Sequence, residues 1–385
     1  MQLMRLAVVT SHFPNSAQPY RGNPTYQTLR QMRSLADIRV FCPLTRYPGW
    51  LSPRNFTYRR AEVNHSLPTI DTEYFDYPAV PLVSRPLNPA ICEHYLRERL
   101  KAFAPDAILN YFIYPEGCAA VSLGERLGIP SILGVIGSDV NRIPDRLTGW
   151  HTQRALRRAD GVIAVSEQTR QKAVELGARA DRTSTVPCGC DLETFHPIAR
   201  KIARGKLSIP SEAELIVFVG WLSKTKGVPE LLNAFGQLAQ RRKHLSLALI
   251  GEGALSREMS QQIQHAPLRG RVLMPGSLPP QEVALWMSAA DLFCLPSHAE
   301  GCPNVVIEAL SCGTPVVASN VGGIPQLVDP SAGLLVPPKD PVSLERALEE
   351  GLETSWDRRA IAAGSTRSWH DCAQETWNAC RRALR

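Results

Sequence analysis

The pattern of the chain is clearest in the segment LPSHAEGCPNVVIEALSCGTPVVA, residues 295–318. A short apolar run, a tight turn, a helical stretch, a second turn and another apolar run follow one another, as in parallel strands joined by a helix. Pro303 fits the first turn of this helix, and Asn304 is a suitable cap. Free backbone N–H groups near residues 304–306 would then face an anion such as a diphosphate.

Nine further runs rich in Val, Ile and Leu have the length of strands that are buried on both faces. They cover residues 6–10, 107–111, 132–136, 162–166, 184–186, 215–220, 245–251, 272–274 and 334–336. Helical stretches separate the runs. We therefore predict an α/β chain with two doubly wound, Rossmann-like parallel sheets, each with its own core.

A chain of 385 residues is too long for one ordinary hydrophobic core. Periodicity lapses between Asp191 and Pro210, which we interpret as a linker, so domains over 1–197 and 198–365 are predicted. Residues 46–89 are rich in proline and aromatic residues and are interpreted as a loop excursion. Chemistry is expected in a cleft between the two domains.

Composition is that of a globular protein, with 44% hydrophobic and 21% charged residues. No apolar run approaches the roughly 20 residues that span a bilayer, and the first run is shorter than a signal-peptide core. We therefore expect a cytoplasmic protein. The ten cysteines include no CxxC pair, so we interpret them as mostly reduced, small apolar residues.

Positive charge is concentrated in the first half of the chain. Residues 1–200 carry 24 Lys and Arg against 18 Asp and Glu, whereas the remainder carries 19 against 18. A basic half-molecule suits nucleic acid, an anionic membrane face, or an acidic or phosphorylated acceptor. The alternative is a solvated surface that keeps the protein soluble.

Two glutamates flank the start of the helix in the opening segment. Glu300 lies on the turn before it, and Glu308 lies roughly 6 Å along the axis beyond Asn304. Because carboxylates accept hydrogen bonds from vicinal hydroxyls, one glutamate can hold a sugar ring and the other a ribose, with a diphosphate between them. The alternative is a solvated helix residue and an ordinary turn residue.

An ordered series of motifs resembles the retaining glycosyltransferases of family 4, which have the GT-B fold. Glu300-x7-Glu308 is similar to the donor site of that family. The other matching motifs are GSD (137–139), DGVIAVS (160–166), VPCGCD (186–191), VG (219–220), KG (226–227), GEG (251–253), GTPVVA (313–318) and GGIP (322–325). The likeness covers most of the chain and is strongest for transferases of polysaccharide and teichuronic-acid-type biosynthesis.

The resemblance implies a role for each matching residue. Glu300 would contact the transferred sugar, Lys226 would neutralise the departing diphosphate, and Asp139 completes the implied catalytic groups. The donor-binding residues would be Gly22, Gly220, Lys224, Lys226, Gly251, Glu252, Glu300, Gly301, Pro303, Asn304, Val305 and, at the ribose, Glu308. Outside this context Lys226 would be read as a surface lysine.

Two residues of the first half are candidates for contact with the acceptor. His12 ends the first predicted strand, and Arg21 lies on the loop that follows it. The alternatives are a structural histidine and an arginine that faces solvent.

Three departures from the family pattern concern this site. Trp221 stands where the family usually has an arginine, and the nearby Lys224 offers only a point charge in its place. Ile136 stands where the family often has a histidine. The amino-terminal loop offers Gly22 where the family commonly has two adjacent glycines.

No DxD pair follows a predicted strand, and the nearest approach is Asp71-Thr-Glu73. We expect no metal and no cofactor, with the diphosphate charge neutralised by Lys226 and by helix ends. In similar proteins a C-terminal helix, here 366–385, returns to the first domain.

The resemblance implies a hexosyltransferase that retains anomeric configuration and uses a nucleotide-diphosphate sugar, and UDP is the favoured nucleotide. The acceptor would be a saccharide or a polyprenyl- or lipid-linked molecule, held by the basic first domain, with peripheral contact at the inner membrane face as one option. No nucleic-acid partner is expected. The alternatives are a GT-B epimerase or phosphorylase and a nucleotide-sugar-binding protein without turnover.

Overall fold

The computed structural model describes residues 3–15, 18, 20–48, 70–80, 83–265 and 267–384. The chain divides into two compact units, residues 1–189 with 369–385, and residues 190–368. Each unit contains one parallel sheet. Of the boundaries proposed from sequence, 365/366 lies three residues before the division at 368/369, and 197/198 lies eight residues after the division at 189/190.

A seven-stranded sheet forms the first unit. Its strands are β1 (Met4–Val9), β2 (Ala36–Arg46), β3 (Asp71–Pro78), β4 (Ala107–Tyr111), β5 (Ser131–Val135), β6 (Gly161–Ala164) and β7 (Thr183–Thr185). They pair in parallel in the order β3-β2-β1-β4-β5-β6-β7. The helices that connect them are α1 (Asn23–Met32), α2 (Asn88–Phe103), α3 (Cys118–Leu127), α4 (Ser138–Asn141), α5 (Arg146–Arg158) and α6 (Glu167–Glu175).

A six-stranded sheet forms the second unit. Its strands are β8 (Glu214–Val219), β9 (Leu245–Ile250), β10 (Val272–Gly276), β11 (Leu292–Leu295), β12 (Val316–Ser319) and β13 (Gly333–Val336). They pair in parallel in the order β10-β9-β8-β11-β12-β13. The helices are α7 (Arg200–Lys206), α8 (Val228–Arg241), α9 (Ser256–Gln262), α10 (Pro280–Ala289), α11 (Asn304–Ser311), α12 (Ile324–Leu327), α13 (Pro341–Glu353) and α14 (Arg358–Gly364).

The last helix, α15 (Trp369–Ala383), belongs to the first unit, where it packs against α1. Trp369 is buried at its start. Farther along, Cys372 Sγ lies 3.5 Å from the hydroxyl of Thr28 on α1. The C-terminal helix is therefore packed into the first unit, beside α1.

The apolar runs found in the sequence are strands in the structure. Every residue of β4, β5, β6, β11 and β12 is buried, as expected for parallel strands that are covered on both faces. The prediction of two doubly wound parallel sheets is thus confirmed. All eleven predicted strands are present, with ends shifted by a few residues at most.

Two strands lack this sequence signal. β3 lies within the stretch interpreted as a loop excursion, so that interpretation is wrong for Asp71–Pro78; residues 49–69 and 81–82 of the same stretch lie outside the described residues. β3 is at the edge of the sheet, where a strand needs no continuous apolar run. Its partner β2 carries polar residues too, and Arg39 Nε lies 2.6 Å from Asp71 Oδ2 across the pair.

The predicted linker, residues 191–210, is also partly wrong, because it contains α7. One of the basic residues that suggested a linker, Arg204, is used in packing. The buried guanidinium of Arg204 donates to Asp291 Oδ2 at 2.7 Å and to the carbonyl oxygen of Ala289 at 3.0 Å. A buried arginine that is paired in this way fixes α7 to the second sheet.

The chain enters and leaves the second unit at neighbouring points. The Cys190 N–H donates to the carbonyl oxygen of Arg367 at 3.0 Å. Cys190 and Ser368 also form an isolated parallel bridge. The first and last residues of the second unit are therefore held side by side.

No helix in the described part of the chain is long and apolar enough to cross a membrane. The ten cysteines all lie in that part, and no disulfide joins them.

Candidate functional site

An ion pair joins the loops that follow β8 and β11. Lys226 Nζ lies 2.5 Å from Glu300 Oε1, and the two side chains are 28% and 9% exposed. The same oxygen accepts a hydrogen bond from the buried hydroxyl of Ser297 at 2.6 Å. The carboxylate is therefore fixed by two donors, and the lysine ammonium is held at a defined point.

Close backbone contacts at two glycines hold these loops, one between the loops after β8 and β11 and one from the loop after β12. Gly227 has a φ of 68°, and a Cβ at this position would lie 1.9 Å from the carbonyl oxygen of Pro296. Gly322 has a φ of 62°, and a Cβ there would lie 2.2 Å from the carbonyl oxygen of Glu300. A side chain at Gly227 or Gly322 would collide with these carbonyl oxygens, so only glycine fits at either position. The backbone beside Lys226 and next to Glu300 therefore depends on these two glycines.

Sequence reasoning missed a second contact between the same loops. His298 donates its backbone N–H to the carbonyl oxygen of Thr225 at 2.9 Å, and its Nε2 lies 2.9 Å from Glu230 Oε1 on α8. Since a carboxylate only accepts, this ring nitrogen is the donor. The spacing of 68 residues between His298 and Glu230 gives no local signal that would have revealed the pair.

Replacing His298 with leucine should destabilise the protein by about 1–3 kcal/mol, because Glu230 is mostly buried and its Oε2 already lacks a hydrogen-bond partner among the described residues. Urea denaturation measures the change. His298→Gln, whose amide can still donate, should recover most of the loss, and the exposed His265→Leu should change little. Equal stability of the leucine and glutamine variants would contradict a role for this hydrogen bond.

The start of α11 differs in detail from the predicted cap. Pro303 occupies the N-cap position, Asn304 is the first helical residue, and no side chain caps the helix. The expectation that Asn304 is the cap is therefore wrong, since the extended backbone of Pro303 already ends the preceding turn. The Val306 N–H donates to the carbonyl oxygen of Pro303 and so is not available to a ligand. Of the three backbone N–H groups predicted to face an anion, those of Asn304 and Val305 remain.

Glu308 lies in α11 one turn beyond those donors and is half-buried. Loss of water around the carboxyl, with a smaller contribution from the negative charge of Asp191, raises the pKa of Glu308 from 4.5 to about 7. A ligand that donates hydrogen bonds to such a carboxyl stabilises its ionised form. Glu308 is therefore suited to bind hydroxyl groups near the start of α11.

The other donor-site residues proposed for this unit lie at the same edge of the second sheet. Gly220 follows β8, Gly251 follows β9, and the Leu222 N–H donates to the carbonyl oxygen of Glu252 at 2.9 Å. Gly301 accepts a hydrogen bond from the Gly323 N–H at 2.7 Å. The carboxyl end of a parallel sheet is where such folds bind ligands.

Three side chains on these loops are exposed. Lys224 and Glu252 face solvent, and Trp221 is 61% exposed. The cation at Lys224 is thus available to a ligand, and among the described residues no acid pairs with it as Glu300 pairs with Lys226.

The remaining candidates belong to the first unit. His12 stacks on Phe112 with ring centroids 3.8 Å apart, and its Nδ1 lies 3.1 Å from Ser11 Oγ. Burial, with a smaller effect from the charge of Arg21, lowers the pKa of His12 to about 3. His12 is therefore neutral at physiological pH. Gly22 precedes α1, with the backbone of His12 packed against it.

Asp139 holds the turn that follows β5. Its Oδ1 accepts the N–H groups of Gly137 at 2.9 Å and of Ile136 at 3.2 Å. Burial outweighs these bonds and raises the pKa of Asp139 to about 6. Asp139 also lines a cavity of about 380 Å³ within the first unit, together with Tyr77 and Arg142.

A second buried acid in that cavity was not predicted. Glu116 Oε1 accepts the backbone N–H of Ser11 at 3.0 Å and also the Ser11 hydroxyl. Burial raises the pKa of this carboxyl. Glu116 lies in the turn after β4, where no periodic pattern distinguishes it from a surface residue.

Among the residues that the structure describes, no group of three or more His, Cys, Asp or Glu side chains is placed to hold a metal ion. The expectation of a metal-independent site remains a prediction.

Two family models match the chain. The model described as glycosyl transferases group 1 matches residues 199–367, and the glycosyl transferase 4-like domain matches residues 22–189. The putative teichuronic acid biosynthesis glycosyltransferase TuaC of Bacillus subtilis (strain 168) is 30% identical over 356 residues, which cover 90% of this chain and 88% of that protein. A D-inositol 3-phosphate glycosyltransferase of Paenarthrobacter aurescens (strain TC1) is 30% identical over 302 residues, which cover 72% and 73%.

Solved structures share the fold over almost the whole chain. Sucrose-phosphate synthase from Thermosynechococcus elongatus has a TM-score of 0.76 at 22% identity, with 98% of each chain covered. Anabaena HepE in complex with UDP has a TM-score of 0.71 at 20% identity, with 98% of this chain and 99% of that chain covered.

Two Rossmann-like parallel sheets of this kind, with these structural neighbours, define the GT-B fold. The chain belongs to the glycosyl transferases group 1 family, and its first unit has a glycosyl transferase 4-like domain. The family and fold predicted from the sequence motifs are confirmed.

Proposed function

We propose that this glycosyltransferase moves a hexose from a nucleoside-diphosphate sugar, with UDP as the favoured nucleotide, to a saccharide or lipid-linked acceptor. The Lys226–Glu300 pair at the edge of the second sheet is the observation that carries the proposal. A fixed cation beside a fixed carboxylate suits a departing diphosphate on one side and the hydroxyls of a sugar ring on the other.

The surroundings of the pair support a nucleotide donor. The backbone N–H groups of Asn304 and Val305 at the start of α11 suit a phosphate, and Glu308 suits the ribose hydroxyls. The crystal structure of Anabaena HepE contains UDP, which makes uracil the first base to test.

The cavity of the first unit suits the acceptor in this proposal. Its wall combines aromatic rings such as Tyr77 and Tyr114 with polar groups, as sugar-binding surfaces do, and Arg142 adds a positive charge. Arg142 is exposed, which leaves it accessible to an acidic or phosphorylated acceptor. Asp139 and Glu116 are then placed to accept hydrogen bonds from acceptor hydroxyls.

A thermal-shift screen of nucleoside-diphosphate sugars tests the donor site. We expect a UDP-sugar to raise the melting temperature of the wild type, with the shift lost in Glu308→Ala. Glu350→Ala, which removes an exposed glutamate of the same unit, is the matched control and should keep the full shift. A shift that survives in Glu308→Ala would place the nucleotide elsewhere.

Transfer itself is tested with a panel of saccharide and polyprenyl-phosphate-linked acceptors. Retention of configuration predicts the same anomer in product and donor, which the anomeric proton coupling in an NMR spectrum reports. An inverted product would contradict retention. Release of an epimerised sugar, consumption of phosphate, or donor binding with no product on any acceptor would instead support the epimerase, phosphorylase or binding-protein alternatives.

Replacing Trp221 with arginine should tighten UDP binding about three- to tenfold, because a guanidinium adds a charge-assisted hydrogen bond to the diphosphate beside Lys226. Titration calorimetry of wild type, Trp221→Arg and the neutral control Trp221→Gln measures the effect. The gain should shrink as salt is added. Equal affinities of the arginine and glutamine variants would mean that this position does not reach the phosphates.

A further inference from the structure

The outer face of α5 combines arginines with exposed apolar side chains. At about 100° per residue, the exposed positions of this helix fall on one side. They are Arg146, Leu147, Trp150, Arg154, Arg157 and Arg158. The buried positions Thr148, Thr152, Ala155 and Leu156 fall on the opposite side.

The positive charge of this face is largely uncompensated. The helix contains no acidic residue between Arg146 and Arg158. In the described part of the chain, only one of its four arginines has an acid within ion-pair distance, Arg158 with Glu125. The acid at the helix start, Asp145, is already paired with Arg85 and caps the helix through the Thr148 N–H.

Large apolar side chains are exposed on the same surface. Leu147 and Trp150 are each 54% exposed, and the Arg154 guanidinium lies 5.4 Å from the centre of the Trp150 ring. Leu147 and Trp150 are three positions apart and are therefore neighbours on the helix surface, so they form a continuous apolar patch rather than scattered single residues. Both residues therefore need a reason beyond packing.

A neighbouring segment extends the apolar surface. Arg85 Nη1 lies 2.9 Å from Asp145 Oδ2, and His151 Nε2 lies 3.1 Å from the carbonyl oxygen of Pro86, which ties the turn at 85–87 to α5. Val83 and Leu87, on either side of that turn, are 75% and 60% exposed. Two adjacent segments thus present exposed apolar groups beside an arginine-rich helix face.

We propose that this face of α5 docks the first unit on a bilayer surface that contains anionic lipid. Tryptophan and leucine suit the boundary between headgroups and acyl chains, while arginine side chains reach the lipid phosphates. A nucleic acid would bind through the arginines alone, and it would leave the apolar side chains of Leu147, Val83 and Leu87 without a role. The combination of the two kinds of side chain favours the bilayer.

Docking in this orientation has a consequence for the proposed function. Thr148 and Thr152, on the buried side of the same helix, line the cavity that we assign to the acceptor. The Thr152 hydroxyl is buried and has no hydrogen-bond partner among the described residues. A bilayer on the outer face of α5 would therefore lie about one helix diameter, roughly 10 Å, from the cavity wall. If the proposed function holds, an acceptor with a lipid anchor would be presented at this cavity.

Flotation of the full-length protein with vesicles tests the surface. Vesicles of phosphatidylcholine alone are compared with vesicles that contain about 30% phosphatidylglycerol, at about 0.05 M and 0.5 M NaCl. We expect binding only to the anionic vesicles and a strong decrease at high salt. Leu147→Ser/Trp150→Ser should lower the partition coefficient at least about tenfold, and Arg146→Glu/Arg154→Glu should lower it as much at low salt.

Matched variants in the second unit show whether the effect depends on the α5 surface or only on the type of substitution. Ile202→Ser/Val342→Ser removes two exposed apolar side chains, and Arg257→Glu/Arg346→Glu makes the same change in net charge. Both controls should bind vesicles as the wild type does. Melting curves of all variants show whether the α5 substitutions leave the fold intact, which their exposure predicts.

Four results would overturn the proposal. Two concern vesicles: the wild type fails to bind anionic vesicles, or the second-unit controls lose as much vesicle binding as the α5 variants. The third is that a DNA oligomer retains the wild type and Leu147→Ser/Trp150→Ser equally. The fourth is that sedimentation velocity shows a dimer that Trp150→Ser dissociates. No sugar donor is used, so failure here is separate from failure of the thermal-shift screen.

Discussion

Replacing Lys226 with methionine should lower kcat for sugar transfer by about 100- to 1000-fold, the range observed when one preorganised donor to a developing anion is removed. The ammonium is held at 2.5 Å from Glu300 Oε1, so it is already positioned before a donor binds. Its effect should be larger on kcat than on KM, because charge on the leaving diphosphate is greatest in the transition state. Steady-state kinetics with the donor and acceptor found in the screens measures it.

The matched control is Lys243→Met, which makes the same chemical change at an exposed position of the second unit and should leave kcat within about twofold. The double variant Lys226→Met/Glu300→Gln should be far less impaired than the product of the two single effects, since the two residues act as one unit. A folded Lys226→Met enzyme with kcat within tenfold of the wild type would remove the basis of the proposed mechanism.

UDP binding should weaken about tenfold between pH 8 and pH 6 through Glu308 alone. The pKa of this carboxyl is about 7 in the free protein, and the ionised form is the better acceptor for both ribose hydroxyls. UDP therefore binds the protein in which Glu308 is ionised. Its affinity falls as Glu308 becomes protonated below pH 7. Titration calorimetry across this range measures the dissociation constant.

Glu308→Gln separates this effect from protonation of UDP itself, since the variant retains only the pH dependence of the ligand. Folding should respond with the opposite sign. Burial favours the protonated carboxyl, so the free energy of unfolding contributed by Glu308 falls as pH rises from 4.5 to 7, and the glutamine variant should lose this decline. Parallel pH profiles of wild type and Glu308→Gln in the binding experiment would show that Glu308 does not contact the nucleotide.

Parts of the fold were predictable where local pattern and tertiary environment agree. β4 and β12 are runs of apolar residues because both faces of each strand are buried, and such a run is visible in the sequence alone. β3 is an edge strand with polar residues that pair with a neighbour, so its identity depends on β2 rather than on its own pattern. α7 was missed for a related reason, because Arg204 is buried only through its distant partner Asp291.

The candidate site, like the fold, was predictable only in part. Glu300 and Lys226 were found through motifs, but their contact spans 74 positions, and only the structure shows that the two side chains meet. His298, Glu230 and Glu116 were missed, since each acts through a partner far along the chain. The cap at Asn304 was misplaced by one residue, because proline and asparagine both fit the start of a helix.

The pairing of Cys190 with Arg367 and Ser368 makes the second unit an insertion within the first. Because its two ends are neighbours, residues 190–368 can be excised or exchanged as a cassette without stretching the chain at either junction. Evolution can thus exchange the second unit as one module between related chains, and the same two junctions offer engineers a place to build chimeras.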